Sequence, residues 1–204
     1  MSQAESNANV VRKWWESVMD CFPNHNIVVS VIHGTVVFTV PVSIFYPLVM
    51  RLRDLSVCQF KVLVDMSAVD YPARSPRFDV VYQLLSVHHS MRCMVKVQVD
   101  EMTAVPSLTS RYMSANWAER ECYDMFGIHF EGHPDLRRLL TDYGFEGHPM
   151  RKDFPLMGFS EVRYDEVEKR VVSQPVQLAQ DLRTYTFGNP WKSLPQQTIV
   201  KAKR

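Results

Sequence analysis

The sequence predicts an α+β protein, a mainly antiparallel sheet with helices packed on one face, followed by a long irregular carboxyl-terminal extension. Three observations carry that expectation. Apolar and polar side chains alternate in short runs between about residues 27 and 99, the period of a pleated strand. Apolar side chains recur every three or four residues near residues 7–22, 43–54 and 114–126, as on a helix with one buried stripe. Six of the seven glycines and six of the twelve prolines lie at or beyond Gly127, where no long regular element can form. The division expected is therefore a globular domain over 1–127 and an extended, partner-binding tail over 128–204.

The elements follow in order. Asn7 or Asn9 caps a helix to about Phe22, with Val11, Trp15, Val18 and Phe22 set against Arg12, Lys13, Glu16 and Asp20. Strands Ile27–Ile32 and Thr35–Val40 meet at His33-Gly34, where glycine supports the positive φ of a two-residue turn. Ser43 to Asp54 reads as a helix that tolerates Pro47 only in its first turn. In Gln59–Met66, Phe60, Val62 and Val64 alternate with Lys61, Leu63 and Asp65, as expected of a strand with one better-buried face. Phe78–Val87 and Met91–Val99 form a hairpin about His88-His89-Ser90. A short helix is expected over Pro106–Tyr112, and a firmer one runs from a Ser114 cap through Phe126 to Gly127 at the C-cap. Beyond it only Asp135–Thr141 shows a short periodic run. Yet Leu136, Tyr143, Phe145, Phe154, Tyr164 and Trp191 stud the region, which points to a segment that finds its structure against a partner.

Composition removes several classes of function. A chain of 204 residues with 46% hydrophobic and 22% charged side chains is globular in character. Its 23 basic and 22 acidic residues leave a formal charge of +1, so no nucleic-acid partner is expected. Cys21 to Met50 carries no Asp, Glu, Lys or Arg, long enough to span a bilayer as a helix. Ser30, His33, Gly34, Thr39, Pro41 and Pro47 break that series, and no transmembrane segment is expected. Cys21, Cys58, Cys93 and Cys122 lack the paired spacing of metal sites and read as reduced thiols. Met1 to Val10 carries Glu5 and no basic residue, unlike a secretory signal or an organelle presequence.

The residues with chemical potential cluster between Trp117 and Leu156. Phe130-Glu131-Gly132-His133-Pro134 is echoed by Phe145-Glu146-Gly147-His148-Pro149. His129, Glu131, His133 and His148 could serve as metal ligands in a stand-alone hydrolase. Gly132 and Pro134 forbid the helix that would align them, so the Gly-His-Pro units read better as turns with histidine bonded to nearby backbone. Glu119, Glu121 and Asp124 suit a structural network, with Arg120 and Asp124 placed for an ion pair at i, i+4. Arg137, Arg138, Arg151 and Lys152 could grip an anion, or pair with Asp135, Asp142 and Asp153 within or between chains. No glycine-rich phosphate loop, dinucleotide fingerprint or nucleophile elbow occurs.

The run Glu119-Arg120-Glu121-x-Tyr123-Asp124-Met125-Phe126-Gly127-Ile128-x-Phe130, continuing through Gly132-His133-Pro134-Asp135-Leu136-Arg137-Arg138-Leu139-Leu140, resembles the 30-kilodalton subunit of respiratory complex I, also called subunit 9. Thr141-Asp142-Tyr143-Gly144-Phe145-Glu146-Gly147-His148-Pro149-x-Arg151-Lys152-Asp153-Phe154-Pro155-Leu156 resembles it too. So do Val64-Asp65, Val69-Asp70-Tyr71-Pro72, Glu161-Val162-Arg163-Tyr164-Asp165 and Lys169-Arg170-Val171-Val172, and the likeness covers about residues 57–192. Cys122 departs from it, where a large apolar or aromatic residue is expected.

The resemblance implies a peripheral-arm subunit of NADH:ubiquinone oxidoreductase, with no catalytic residue and no redox centre of its own. The complex would supply NADH, FMN, iron–sulfur clusters and ubiquinone. The partners implied are the quinone-binding 49-kilodalton-type subunit and neighbouring iron–sulfur subunits. Arg137, Arg138, Arg151, Lys152, His133 and His148 become interface candidates. The location implied is the matrix side of the mitochondrial inner membrane, or the cytoplasmic face of a bacterial membrane.

Overall fold

Alternation between residues 28 and 99 becomes a five-stranded sheet. The computed structural model describes residues 14–22, 26–180 and 183. The strands are β1 (Val28–Ile32), β2 (Thr35–Val40), β3 (Val62–Asp70), β4 (Phe78–Ser86) and β5 (Met91–Val99), in the order β1-β2-β5-β4-β3. Every neighbouring pair is antiparallel except β2 and β5, which run parallel. The β1–β2 hairpin turns at His33 and Gly34, both at positive φ (49° and 79°), as the sequence requires.

One row across the sheet shows which face carries the core. Phe38 pairs with Val95, Val95 with Tyr82 and Tyr82 with Met66, so their side chains share a face. Onto that face pack Trp14 against Phe38, Phe45 against Tyr82 at 4.6 Å between ring centroids, and Phe126 against Phe78. These three rings come from helical residues 14–19, helix α1 (Val42–Asp54) and helix α2 (Ala115–Phe126). The helices therefore cover one face of the sheet, as expected.

Several local expectations are corrected. The Asn7 and Asn9 caps and Val11 lie outside the described residues; helical geometry stops at Met19, short of Phe22, and Trp14 and Val18 are buried with Phe22 just beyond the helix, while Trp15 is only partly buried. Pro47 falls in the second turn of α1. Burial of Ile44, Phe45, Leu48, Val49 and Leu52, at about 1.5–3 kcal/mol for each side chain, outweighs the ~3 kcal/mol cost of an interior proline. Strand β3 begins three residues later than expected and breaks phase between Leu63 and Asp65, where Val64 is an extra residue opposite β4. The bulge reverses the buried parity, so that Leu63 points inward, then Met66 and Ala68, while Val62 and Val64 face solvent.

No helix forms over Pro106–Tyr112. Instead β6 (Val105–Pro106) pairs in parallel with β7 (Phe130–Glu131), because the Val105 and Ser107 amides donate to His129 and Glu131 carbonyls. A single turn at Leu108 then leads into α2. Ser114 precedes α2 without capping it, since its hydroxyl donates to the Leu63 carbonyl at 3.1 Å. Gly127 ends α2 at φ 78°, its amide donating to the Tyr123 carbonyl.

Contacts divide the chain into two compact units, one ending at Gly158 and the other starting at Phe159. The sequence placed a boundary at 127, which lies within the first unit. The second unit holds an antiparallel hairpin, β8 (Ser160–Asp165) with β9 (Arg170–Pro175), that its sequence did not reveal. No described helix is long and apolar enough to cross a membrane.

Candidate functional site

Helix α2 presents two carboxylates that leave solvent entirely, Glu119 and Asp124. A buried charge must be fully hydrogen-bonded to persist. Asp124 accepts from the amides of Leu139, Leu140 and Thr141 at 3.1, 2.7 and 2.9 Å, from Thr141 Oγ1 at 2.7 Å and from Arg138 Nη1 at 3.2 Å. Burial works to raise its pKa, but the hydrogen bonds from Thr141, Leu140 and Leu139 outweigh it and hold the carboxyl at about 2. Asp124 therefore organises an irregular segment that has no ladder of its own. The expected Arg120–Asp124 pair is absent. Arg120 donates instead to the carbonyls of Arg137 and Arg138, fastening the same segment from its other side.

Glu119 behaves oppositely. It accepts from Ser107 Oγ at 2.6 Å and from the Leu108 amide at 2.8 Å, tying the β6 loop to α2. Burial prevails here and raises its pKa above the ordinary 4.5, against the lowering effect of the Ser107 and Leu108 bonds. Glu121, the third acid of the trio, is exposed.

Both histidines of the repeated Gly-His-Pro units bond to backbone. His133 Nε2 lies 3.2 Å from the Asn116 carbonyl, and His133 Nδ1 accepts from the Asp135 amide at 3.0 Å. That pairing places the proton on Nε2. His148 Nδ1 donates to the Asp124 carbonyl at 3.0 Å. Gly127 makes room for this second unit, since a Cβ there would stand 2.6 Å from His148 Nε2 and 2.7 Å from Arg151 Nη2. The two units thus grip different carbonyls of α2. His129 and Glu131 are exposed, and among the described residues no group of three or more His, Cys, Asp or Glu could hold a metal ion. The hydrolase reading loses its ligand set.

The basic candidates separate. Arg138 bridges Asp124 and the Gly147 carbonyl. Arg151 donates to the Phe126 carbonyl at 2.6 Å and pairs with Glu101 at 3.2 Å. Arg137 is exposed and meets only exposed Asp135, while Lys152 is exposed and uses its amide, not its ammonium, to bond Asp70. A centre the sequence did not single out lies there. Asp70, its side chain fully buried, takes Arg77 through two bonds of 2.7 and 2.9 Å. Arg77 also reaches Asp153 and Glu101. The Arg77 bond lowers the Asp70 pKa. Asp70 and Asp153 both stood within quoted motifs, but the intervening 82 positions hid their juxtaposition.

The chemistry available is cohesive. Asp124, Arg120, Arg138, His148 and Arg151 are engaged in folding residues 128–154 onto α2, whereas Glu121, Arg137 and the Lys152 ammonium stay at the surface, and none of these groups is paired as nucleophile with base. Within the chain, that segment is held to α2 by side-chain hydrogen bonds. The thiols are likewise quiet: burial raises Cys58 to about 11 and Cys122 to about 12, and pushes Cys93 well up.

Residues 38–160 match the family described as Respiratory-chain NADH dehydrogenase, 30 Kd subunit. The chain is 60% identical over 146 residues to an NADH-quinone oxidoreductase subunit of Rhodospirillum rubrum, covering 72% of this chain and 68% of that protein. It is 50% identical over 179 residues to the mitochondrial NADH dehydrogenase [ubiquinone] iron-sulfur protein 3 of Candida albicans, covering 88% of this chain and 64% of that protein. Among solved structures, the trypsin-resistant fragment of Nqo5 superposes with a TM-score of 0.53 at 32% identity, covering 60% of this chain and 99% of the fragment. A chain of the archaeal membrane-bound sulfane sulfur reductase shares the fold, with a TM-score of 0.61 at 24% identity over 72% of this chain and 86% of that one.

Proposed function

From the premise that this chain belongs to the family of the 30 Kd subunit of respiratory-chain NADH dehydrogenase, we propose that it is an architectural subunit supporting electron transfer from NADH to quinone without performing it. The chain is a subunit of the NADH:quinone oxidoreductase complex, and the observation that carries this is the 60% identity with the Rhodospirillum rubrum subunit over 72% of its length. Its contribution is assembly and support of the quinone-binding 49-kilodalton-type subunit and of neighbouring iron–sulfur subunits in the peripheral arm. NADH, FMN, iron–sulfur clusters and ubiquinone are held by those partners.

The iron–sulfur wording in the name of the Candida relative finds no matching ligand set. A cluster takes about four thiolates. Here Cys58, Cys93 and Cys122 are buried with raised pKa values, Cys21 is exposed, and no group of three ligands converges among the described residues. Bacterial and mitochondrial relatives support a position on the matrix side of the inner mitochondrial membrane or the equivalent bacterial face.

Trypsin resistance of the matched Nqo5 fragment supports a tightly folded amino-terminal unit. Native electrophoresis of membranes carrying a tagged chain tests the reading. The tag should co-migrate with the NADH dehydrogenase activity band, and a tag running free while the band persists without it would overturn the proposal.

A further inference from the structure

Strand β3 is one edge of the five-stranded sheet; along Leu63–Met66 the Leu63 carbonyl accepts from the Ser114 hydroxyl and the Met66 amide donates to Asp65, so a further strand there would pair with the remaining edge groups or displace these two bonds. Helix α2 packs beside that edge, and a groove of about 600 Å³ runs between them, walled by Leu63–Met66 on one side and by Trp117, Ala118 and Glu121 on the other. Leu139 and Leu140 also line it. Three apolar side chains here are largely uncovered: Trp117 is 68% exposed, Leu140 61% and Val64 47%. Trp117 lies outside the buried stripe of α2 (Ala115, Glu119, Cys122 and Phe126), and the bulge turns Val64 away from the core. This chain covers only part of each, and together they form an apolar patch of the kind that marks an interaction site.

The groove is also acidic. Glu121 and Asp65 both line it. Neither has a cationic partner among the described ion pairs. Asp65 only accepts its neighbour's amide, Met66 N.

We propose that this groove receives an extended segment of a neighbouring subunit of the oxidoreductase, added beside β3 as a further strand and carrying apolar side chains with at least one lysine or arginine. The proposal rests on membership of that complex. Strand addition suits an edge walled by a helix, since main-chain bonds hold the segment and the flanking side chains select it. The four residues Leu63–Met66 admit about four or five residues of partner at ~3.3 Å each. The apolar side chains would cover Trp117, Leu140 and Val64, and the cation would sit between Asp65 and Glu121. The two acids also discriminate, because they repel an acidic segment or a second copy of this groove.

Photocrosslinking in the assembled complex tests this, with p-benzoylphenylalanine introduced in place of Trp117 and, separately, in place of Leu140. Both positions are exposed, so the free chain should fold as before. Illumination should link each variant to one partner peptide that is apolar and contains lysine or arginine. Amide exchange at Val62–Met66 should slow at least tenfold on assembly. Glu121→Lys should lower the yield of assembled complex severalfold without changing the melting temperature of the free chain.

Crosslinking to an acidic segment, or full assembly with no crosslink from either position, would overturn the proposal. A crosslink without amide protection at β3 would also overturn it, since a helix lying on Trp117 would leave the edge unpaired. A tagged chain that purifies with no other subunit would instead overturn the underlying reading of the protein as a subunit, and is distinguishable because no complex is recovered to crosslink.

Discussion

Replacing Asp124 by alanine removes the acceptor of three amides, one hydroxyl and one guanidinium at a single buried point. Hydrogen bonds to a charged group contribute about 1.5–3 kcal/mol each but do not add, and breaking a buried pair costs about 3–5 kcal/mol. Arg138, Leu139 and Thr141 are half-buried and Leu140 is exposed, so water recovers part of the loss, and about 4 kcal/mol is expected. For a folded unit of this size that is a drop in Tm of roughly 10 °C. Asp124→Asn keeps the shape and one acceptor oxygen and should cost about half as much.

The two substitutions separate in acid. The folded-state pKa of about 2 lies below the ordinary 3.8, so the stabilisation is fully present above about pH 4 and lost as pH falls toward 2. The wild-type chain should therefore lose stability across that window more steeply than Asp124→Asn. Urea denaturation of the isolated chain at pH 7 and at steps down to pH 2.5 measures both effects. A change below about 0.5 kcal/mol for Asp124→Ala, or equal acid slopes, would refute the assignment of Asp124 as the organiser of residues 138–141.

Other expectations follow from the same geometry. Glu119→Gln should leave stability at pH 7 unchanged or slightly raised, because the raised folded-state pKa means that burial of the charge is unfavourable above it; a denaturation midpoint lowered by the substitution at pH 7 would contradict this. Gly127→Ala should cost about 2–4 kcal/mol, combining an unfavourable positive φ with displacement of His148 and Arg151, and thermal melting would show it. Arg138→Glu should destabilise the free chain, whereas Arg137→Glu, at an exposed pair, should leave its melting unchanged, so any assembly defect from Arg137→Glu would report a partner contact. Alkylation of the native chain at pH 8 should label Cys21 and spare buried Cys58, Cys93 and Cys122 until denaturant is added.

Features set by neighbours in sequence were legible. The His33-Gly34 turn, the Phe78–Val99 hairpin and the Gly127 cap each rest on local backbone rules, and the structure contains all three. The Gly-His-Pro units were legible as turns for the same reason. What depends on distant partners was not. The inverted parity of β3 comes from one extra residue, Val64, which only its pairing with β4 reveals. The acids of α2 were recognised as structural, but their partners lie 11 to 17 positions away through irregular backbone, where no periodicity reports contact. Pro106–Tyr112 had helical promise, yet Val105–Pro106 became a strand because the His129 and Glu131 carbonyls accept from the Val105 and Ser107 amides. In the segment beyond Gly127, regular elements are scarce and side-chain bonds with α2 stand in for a ladder, contacts that no local pattern reports.

The central claim is that the charged motif from Glu119 to Asp153 builds a subunit and performs no step of catalysis. Its most direct test is the ratio of NADH:quinone reductase activity to assembled complex, in membranes where the chain has been deleted and replaced by wild type, Asp124→Asn or Arg138→Glu. Deletion should remove complex and activity together, wild type should restore both, and the two variants should lower the amount of complex while leaving turnover per assembled complex unchanged. A complex assembled in normal amount with turnover reduced tenfold would contradict the claim and place these side chains in the reaction itself.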